Sequence, residues 1–143
     1  MIYLCSFLVS GGVSVLNNIQ RKYFLLCGLS GALTYMAYLF FAKYTNESVA
    51  SLLACIILAV ISQLFAKIAK VPSTIFTIPG IMPIVPGSLL FKAFNFLVED
   101  QYSQALSLGL QVMLVGFSIA IGLILNESIT YVLKKKNYFI FNK

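Results

Sequence analysis

A chain of 143 residues that is 60% hydrophobic and only 10% charged has too much apolar surface for one soluble core, whose outer face must be polar. Ten Lys and Arg residues against four Asp and Glu give a net charge of +6, and the chain contains no His and no Trp. Composition therefore excludes a small soluble domain and predicts an all-α, polytopic membrane protein whose residues 1–143 form a single transmembrane domain.

Five apolar runs follow one another along the chain. We expect helical spans at about 1–18, 23–42, 48–69, 72–98 and 102–130, followed by a basic tail at 134–143. Each run approaches or exceeds the roughly 20 residues that a helix needs to cross the hydrocarbon core of a bilayer.

The first run is the weakest of the five, because Asn17, Asn18 and Gln20 shorten its apolar part. A cleaved signal peptide would have a basic start, and MIYLCSFLVSGG has no basic residue. We therefore expect a truncated membrane span, and a start codon upstream would account for its length.

The basic residues predict how the spans are oriented. If all five runs cross, one side of the membrane receives eight of the ten Lys and Arg residues and the other receives only Lys43 and Lys92. If the fourth run dipped in and returned, the two sides would receive five each. Because short cytoplasmic loops collect Lys and Arg, we expect five crossings of the plasma membrane, with the N-terminus outside and the C-terminus in the cytoplasm. The positive charge then reflects topology and lipid headgroups as partners, and no nucleic acid.

Few side chains are suited to catalysis or to metal binding. No His is available as a base, and the acids lie at predicted span ends with no nucleophile beside them: Glu47, Glu99, Asp100 and Glu127. Cys5, Cys27 and Cys55 fall in separate apolar runs without a C-x-x-C spacing, which predicts buried, inert packing residues. We therefore expect no enzyme, no catalytic or metal site and no cofactor.

The fourth run is interrupted by the segment IPGIMPIVPGS, residues 78–88. Pro79, Pro83 and Pro86 lack a backbone N–H, and Gly80 and Gly87 would ease a bend. In lipid, irregular backbone persists only where protein buries it or where it lines a cavity. A kink for packing alone is the alternative. Because all four prolines of the chain lie within fifteen residues, we favour a functional break in the fourth helix.

The second half of this broken helix predicts an anion site. We expect Pro86 to be its first residue, so that the N–H groups of Gly87, Ser88 and Leu89 point unpaired into the membrane interior. Such a helix start attracts a carboxylate, and transporters use such breaks to bind substrate. Lys92 lies four residues after Ser88 on the same face, with snorkelling to headgroups as its alternative role. The predicted substrate-binding residues are Pro79, Gly80, Pro83, Pro86, Gly87, Ser88 and Lys92.

Polar and small residues in the other spans predict helix packing. We expect Gln63, Gln111 and Asn126 to form hydrogen bonds between helices rather than to bind a ligand. The small residues of the second and fifth spans permit close helix approach; they include Gly28, Gly31, Gly116 and Gly122.

The run KIAKVPSTIFTIPGIMPIVPGSLLFKAF resembles the proline-rich signature of the threonine/serine exporter family. The spacing P-x-x-x-P-x-V-P-G is met by Pro79, Pro83, Val85, Pro86 and Gly87, while Ile84 and Phe91 replace the Leu and Tyr common in the family. The short length with five spans is similar to the split, small-subunit type, as in the small subunit of the two-component succinate exporter. The resemblance implies a larger membrane subunit of the same family as partner, and a small carboxylate substrate such as threonine, serine or succinate.

Two functions are therefore open. The first is the small subunit of an exporter for small carboxylate-bearing metabolites, working by alternating access around the break. The second is a non-transporting membrane assembly or scaffold subunit. We favour the first; the two functions differ in what the broken fourth helix is for.

Overall fold

The computed structural model describes the backbone of residues 2–141 and the side chains in that range other than 2, 126, 129, 130 and 132–141. These residues form helices and no strand, which confirms an all-α, polytopic membrane protein. The helices are α1 (Ile2–Leu16), α2 (Phe24–Ala42), α3 (Glu47–Ala69), α4 (Thr74–Ile81), α5 (Gly87–Val98) and α6 (Tyr102–Phe141). Short 3-10 turns precede α2 at Arg21–Tyr23 and follow α4 at Met82–Ile84.

Within the described residues, three helical segments are long and apolar enough to cross a membrane by themselves: Arg21–Ala42, Glu47–Ala69 and Tyr102–Leu125. The segments Thr74–Ile84 and Gly87–Val98 meet the same requirement together, and they are bent by 42° at a short break. Helix α1 has 15 residues. It is shorter than the roughly 20 residues needed for a full crossing, as its sequence indicated.

Helices α1, α3 and α5 end in the same way. Each is followed by a residue in the left-handed conformation: Asn18 (φ 55°), Lys70 (φ 54°) and Asp100 (φ 58°). The next amide then donates to the carbonyl five residues earlier, at distances of 3.0, 3.1 and 2.9 Å. This end motif satisfies carbonyls that the helix leaves open and turns the chain sharply toward the next element.

Helices α1 and α2 pack antiparallel, with aromatic rings over glycines. A Cβ atom added at Gly28 would come within 2.5 Å of the Phe7 ring, and one added at Gly11 within 2.6 Å of the Phe24 ring. The two rings also contact each other edge to face, with centroids 6.2 Å apart. Close approach at the small residues of the second span, which the sequence predicted, is thereby confirmed for Gly28.

Helices α3 and α6 run parallel to each other. Gln111 Nε2 donates to Glu47 Oε2 at 3.0 Å near the start of α3, which confirms the predicted interhelical role of Gln111. Two to three turns further along both helices, Gly122 packs directly on Cys55. Ile119 and Leu123 of α6 pack against the buried cluster that contains Cys55. The α4–α5 pair therefore returns the chain from the end of α3 to the level of its beginning.

Helix α6 is longer than the predicted span 102–130. Its backbone stays helical through residues 131–141, so most of the predicted basic tail 134–143 continues the helix. The tail side chains and residues 142–143 lie outside the described part of the chain. Helix α5 packs mainly against α6, with Ala93 and Ala105 buried.

Two of the three cysteines are buried as predicted, Cys27 and Cys55, and both are free thiols. Cys5 is exposed on the surface of α1, so the prediction of a buried residue was wrong there. The reason is geometric, since α1 turns its serine face toward α2 and Cys5 lies about 100° around the helix from Ser6.

Candidate functional site

The break in the fourth span lies within the predicted segment 78–88, in its second half. Pro79 stays inside α4, Pro83 lies in the 3-10 turn, and the change of direction falls at Val85 and Pro86. Pro86 precedes the first residue of α5 instead of being that residue, with φ −78° and ψ 54°. Its carbonyl accepts the Leu90 N–H at 3.1 Å, which makes Pro86 the N-cap.

The seven predicted substrate-binding residues do not line one surface of this chain. Pro79 and Gly80 are buried, and Pro83 and Pro86 are half-buried. Gly87, Ser88 and Lys92 are exposed. The structure thus places one part of the predicted site inside the bundle and the other part on its outer surface.

The backbone amides at the start of α5 differ from the prediction at one position. Gly87 N–H donates to the Val85 carbonyl at 2.8 Å, so the prediction of an unpaired amide was wrong for Gly87. Among the described residues, the amides of Ser88 and Leu89 make no hydrogen bond outside the helices. First-turn amides have no acceptor within their own helix, so these two are available to an anion.

Helix α2 supplies the hydrogen bonds that let Pro79 remain in a helix. A proline at this position deprives the Ile75 carbonyl of its normal donor. The Cys27 thiol takes that place, with Sγ 3.5 Å from the Ile75 oxygen, and the Ser30 hydroxyl lies 3.2 Å from the neighbouring Phe76 oxygen. Side chains of an adjacent helix often satisfy carbonyls freed by proline in membranes, and here they also hold α4 against α2.

Replacing Cys27 by alanine should lower the free energy of unfolding by about 1 kcal/mol, because the buried Ile75 carbonyl loses its donor. The loss of stability caused by Cys27→Ala should be smaller in a protein that also carries Pro79→Ala. That substitution restores a backbone amide at position 79, which can donate to the same Ile75 oxygen. Thermal unfolding of the four proteins of this double-mutant cycle in detergent measures the coupling. Cys27→Ser keeps a donor of similar size and is the control; an equal loss in Cys27→Ser would contradict this explanation.

The two glycines of the predicted site differ in their surroundings. Neither has a positive φ, so the bend does not use the left-handed conformation that favours glycine. A Cβ atom at Gly80 would lie 2.5 Å from Leu58 Cδ1 and 3.2 Å from Ser30 Oγ, so Gly80 permits close packing of α4 on α2 and α3. A Cβ atom at Gly87 would meet nothing within 4 Å.

A family model described as "Threonine/Serine exporter, ThrE" matches residues 3–129, which extend from the first turn of α1 well into α6. The chain belongs to the threonine/serine exporter family. No curated protein and no solved structure matches it. Membership in this family makes the chain a transporter-family protein rather than a member of an enzyme family, and it confirms the resemblance carried by the proline-rich signature.

Within this exporter-family chain, Lys92 is placed on the exposed side of α5 among large apolar side chains, including Phe91 and Phe94. No ion pair involving Lys92 occurs in the part of the chain that the structure describes. The same part contains no group of three or more His, Cys, Asp or Glu residues that could hold a metal ion. The uncovered charge of Lys92 is therefore available to headgroups, to a partner or to an anion.

Hydroxyl side chains form the buried polar part of this exporter-family protein, and they were not among the residues predicted from the sequence. Among the side chains that the structure describes, all the buried polar ones are Ser or Thr: Ser6, Ser10, Ser14, Ser30, Thr34, Ser51, Ser62 and Thr77. The first three repeat every four residues and line the face of α1 that packs on α2. That spacing was a readable signal in the sequence, since residues four apart share one face of a helix.

Proposed function

We propose that this chain is the small subunit of a two-component exporter that moves small carboxylate-bearing metabolites out of the cell together with a larger membrane subunit of the same family. Threonine, serine and succinate-like dicarboxylates all carry the anionic group that a helix start attracts. Family membership supports the transport function. The bend at Val85 and Pro86 supports the position of the pathway, at Pro79, Gly80, Pro83, Pro86, Gly87, Ser88 and Lys92.

The observation that carries the proposal is the exposure of the α5 start. Gly87 and Ser88 lie on the surface of this chain, directly after the half-buried Pro83 and Pro86. Their helix packs mainly against α6, and a Cβ atom added at Gly87 would meet nothing within 4 Å. A larger membrane subunit on this side would complete the walls of a pathway, and transporters commonly place substrate between two bundles.

Five crossings of the plasma membrane, with the N-terminus outside, belong to the same proposal. The parallel course of α3 and α6 supports it, because a re-entrant α4–α5 pair would leave these helices antiparallel. The excess of Lys and Arg on one predicted side supports a cytoplasmic C-terminus.

Efflux from proteoliposomes tests the function. Vesicles loaded with labelled threonine or succinate are prepared with this chain, with a larger membrane subunit of the same family, or with both. We expect efflux only when both are present. Equal efflux from the larger subunit alone would identify this chain as an assembly or scaffold subunit, and absence of efflux from all three preparations would contradict export of these solutes.

A further inference from the structure

The hydroxyl of Ser10 is buried and has no hydrogen-bond partner. Ser10 is 0% exposed, and its Oγ is the one buried side-chain N or O atom without a partner in the described part of the chain. An unpaired hydroxyl in a dry interior is unfavourable, since it has given up its bonds to water. Its presence in a tightly packed region needs an explanation.

A serine in a membrane helix has a convenient partner in its own backbone, the carbonyl three or four residues earlier. One turn further along α1, Ser14 makes this bond to the Gly11 oxygen at 2.6 Å. In α2, Ser30 and Thr34 bond to the Cys27 and Ser30 oxygens at 2.8 and 2.6 Å. Ser10 does not, so its hydroxyl is turned away from α1 toward the neighbouring helices.

The surroundings of Ser10 lie at the bend of the fourth span. A Cβ atom added at Gly31 of α2 would overlap the Ser10 hydroxyl and lie 2.5 Å from Ser10 Cβ. The same point is 3.4 Å from Cγ of Pro83. Ser10 therefore faces the place where α1 and α2 meet the 3-10 turn. Pro83, in that turn, lies two residues before the change of direction at Val85. In this arrangement the three elements are in contact and leave no room for a solute.

We propose that the Ser10 hydroxyl binds the transported solute, donating a hydrogen bond to its carboxylate when α1 separates from Gly31 and Pro83. This inference rests on the proposed export function and adds the side chain of this chain that contacts the solute. The packed arrangement is then the closed one, and the unpaired hydroxyl destabilises it relative to an open arrangement in which it has a partner. A neutral hydroxyl accepts amino acids and dicarboxylates alike.

Kinetics of Ser10→Ala test the proposal, with the chain reconstituted together with the larger subunit. We expect the KM for efflux to rise at least about tenfold, because the variant loses one hydrogen bond to a charged group. The melting temperature should rise, because the variant removes the unpaired group. Ser14→Ala is the matched control: it should lower the melting temperature and leave KM unchanged. Wild-type efflux with an unchanged KM in Ser10→Ala overturns this inference alone, whereas absence of wild-type efflux refutes the proposed function first.

Thiol labelling provides a second readout that does not depend on the rate of export. Ser10→Cys is placed in a background carrying Cys5→Ala, Cys27→Ser and Cys55→Ala, and is reacted with a small water-soluble thiol reagent. We expect slow labelling that threonine or succinate slows further, since opening exposes the position and bound solute covers it. Labelling that neither solute changes would show that only water reaches Ser10, and complete absence of labelling during efflux would show that the region never opens; either result overturns the proposal.

Discussion

Replacing Gly31 by valine should leave little folded protein. Even the first added carbon would overlap the Ser10 hydroxyl and press on Ser10 Cβ, which is held by the backbone of α1 and cannot rotate away. Overpacking of this kind costs about 3 kcal/mol or more when the neighbours cannot yield, a large part of the stability of a small protein. The yield of monodisperse protein in detergent and its thermal unfolding measure the effect.

Gly12→Val is the matched control for this substitution. A Cβ atom at Gly12 meets nothing within 4 Å, although Gly12 follows directly on the tightly packed Gly11. Valine forms helices slightly better than glycine, so this control should melt at or above the temperature of the unmodified protein. Similar melting of the Gly31 and Gly12 variants would contradict the close contact of α1 with α2 and the 3-10 turn.

Replacing Gly87 by valine should give a folded chain that no longer exports. Within this chain there is open space around Gly87, so folding should be preserved. A branched side chain at the start of α5 would, however, keep a carboxylate away from the Ser88 and Leu89 amides. Losing charge-assisted hydrogen bonds there should reduce efflux about tenfold or more.

Efflux and co-purification with the larger subunit are measured on the same preparation. Gly109→Val is the control, because Gly109 also has open space around it and lies in α6, outside the predicted substrate-binding residues. Unchanged efflux in Gly87→Val would remove the α5 start from the pathway. Loss of the complex, with no transport defect in what remains assembled, would favour the scaffold function.

The helices and the interrupted span could be predicted from the sequence because lipid imposes strict rules. A run of apolar residues must be helical there, and a cluster of prolines must disturb it. The exact position of the disturbance could not be predicted. Pro79 remains in α4 because the Cys27 thiol bonds to the Ile75 oxygen from another helix, 48 residues away in sequence. Local sequence around Pro79 carries no sign of that bond.

The site was predicted less completely than the fold, for a related reason. The signature residues were identified, but their distribution between interior and surface depends on how α4 and α5 pack on different neighbours. Ser10 was missed because serine in an apolar helix normally bonds to its own backbone. The missing hydrogen-bond partner of Ser10 can be recognised only when the positions of the atoms around its hydroxyl are known.

The contact between Glu47 and Gln111 has a consequence for the surrounding lipid. Glu47 is the first residue of α3, whereas Gln111 lies nine residues inside α6, so the turn before α6 stands about 13 Å beyond the turn before α3 along the α6 axis. Both turns are polar, and each favours the water boundary. The apolar segments Glu47–Ala69 and Tyr102–Leu125 are almost equal in length, with 23 and 24 residues, so they are staggered along the membrane normal rather than different in hydrophobic thickness. The helices have to tilt, or the bilayer has to deform around them, to cover both segments.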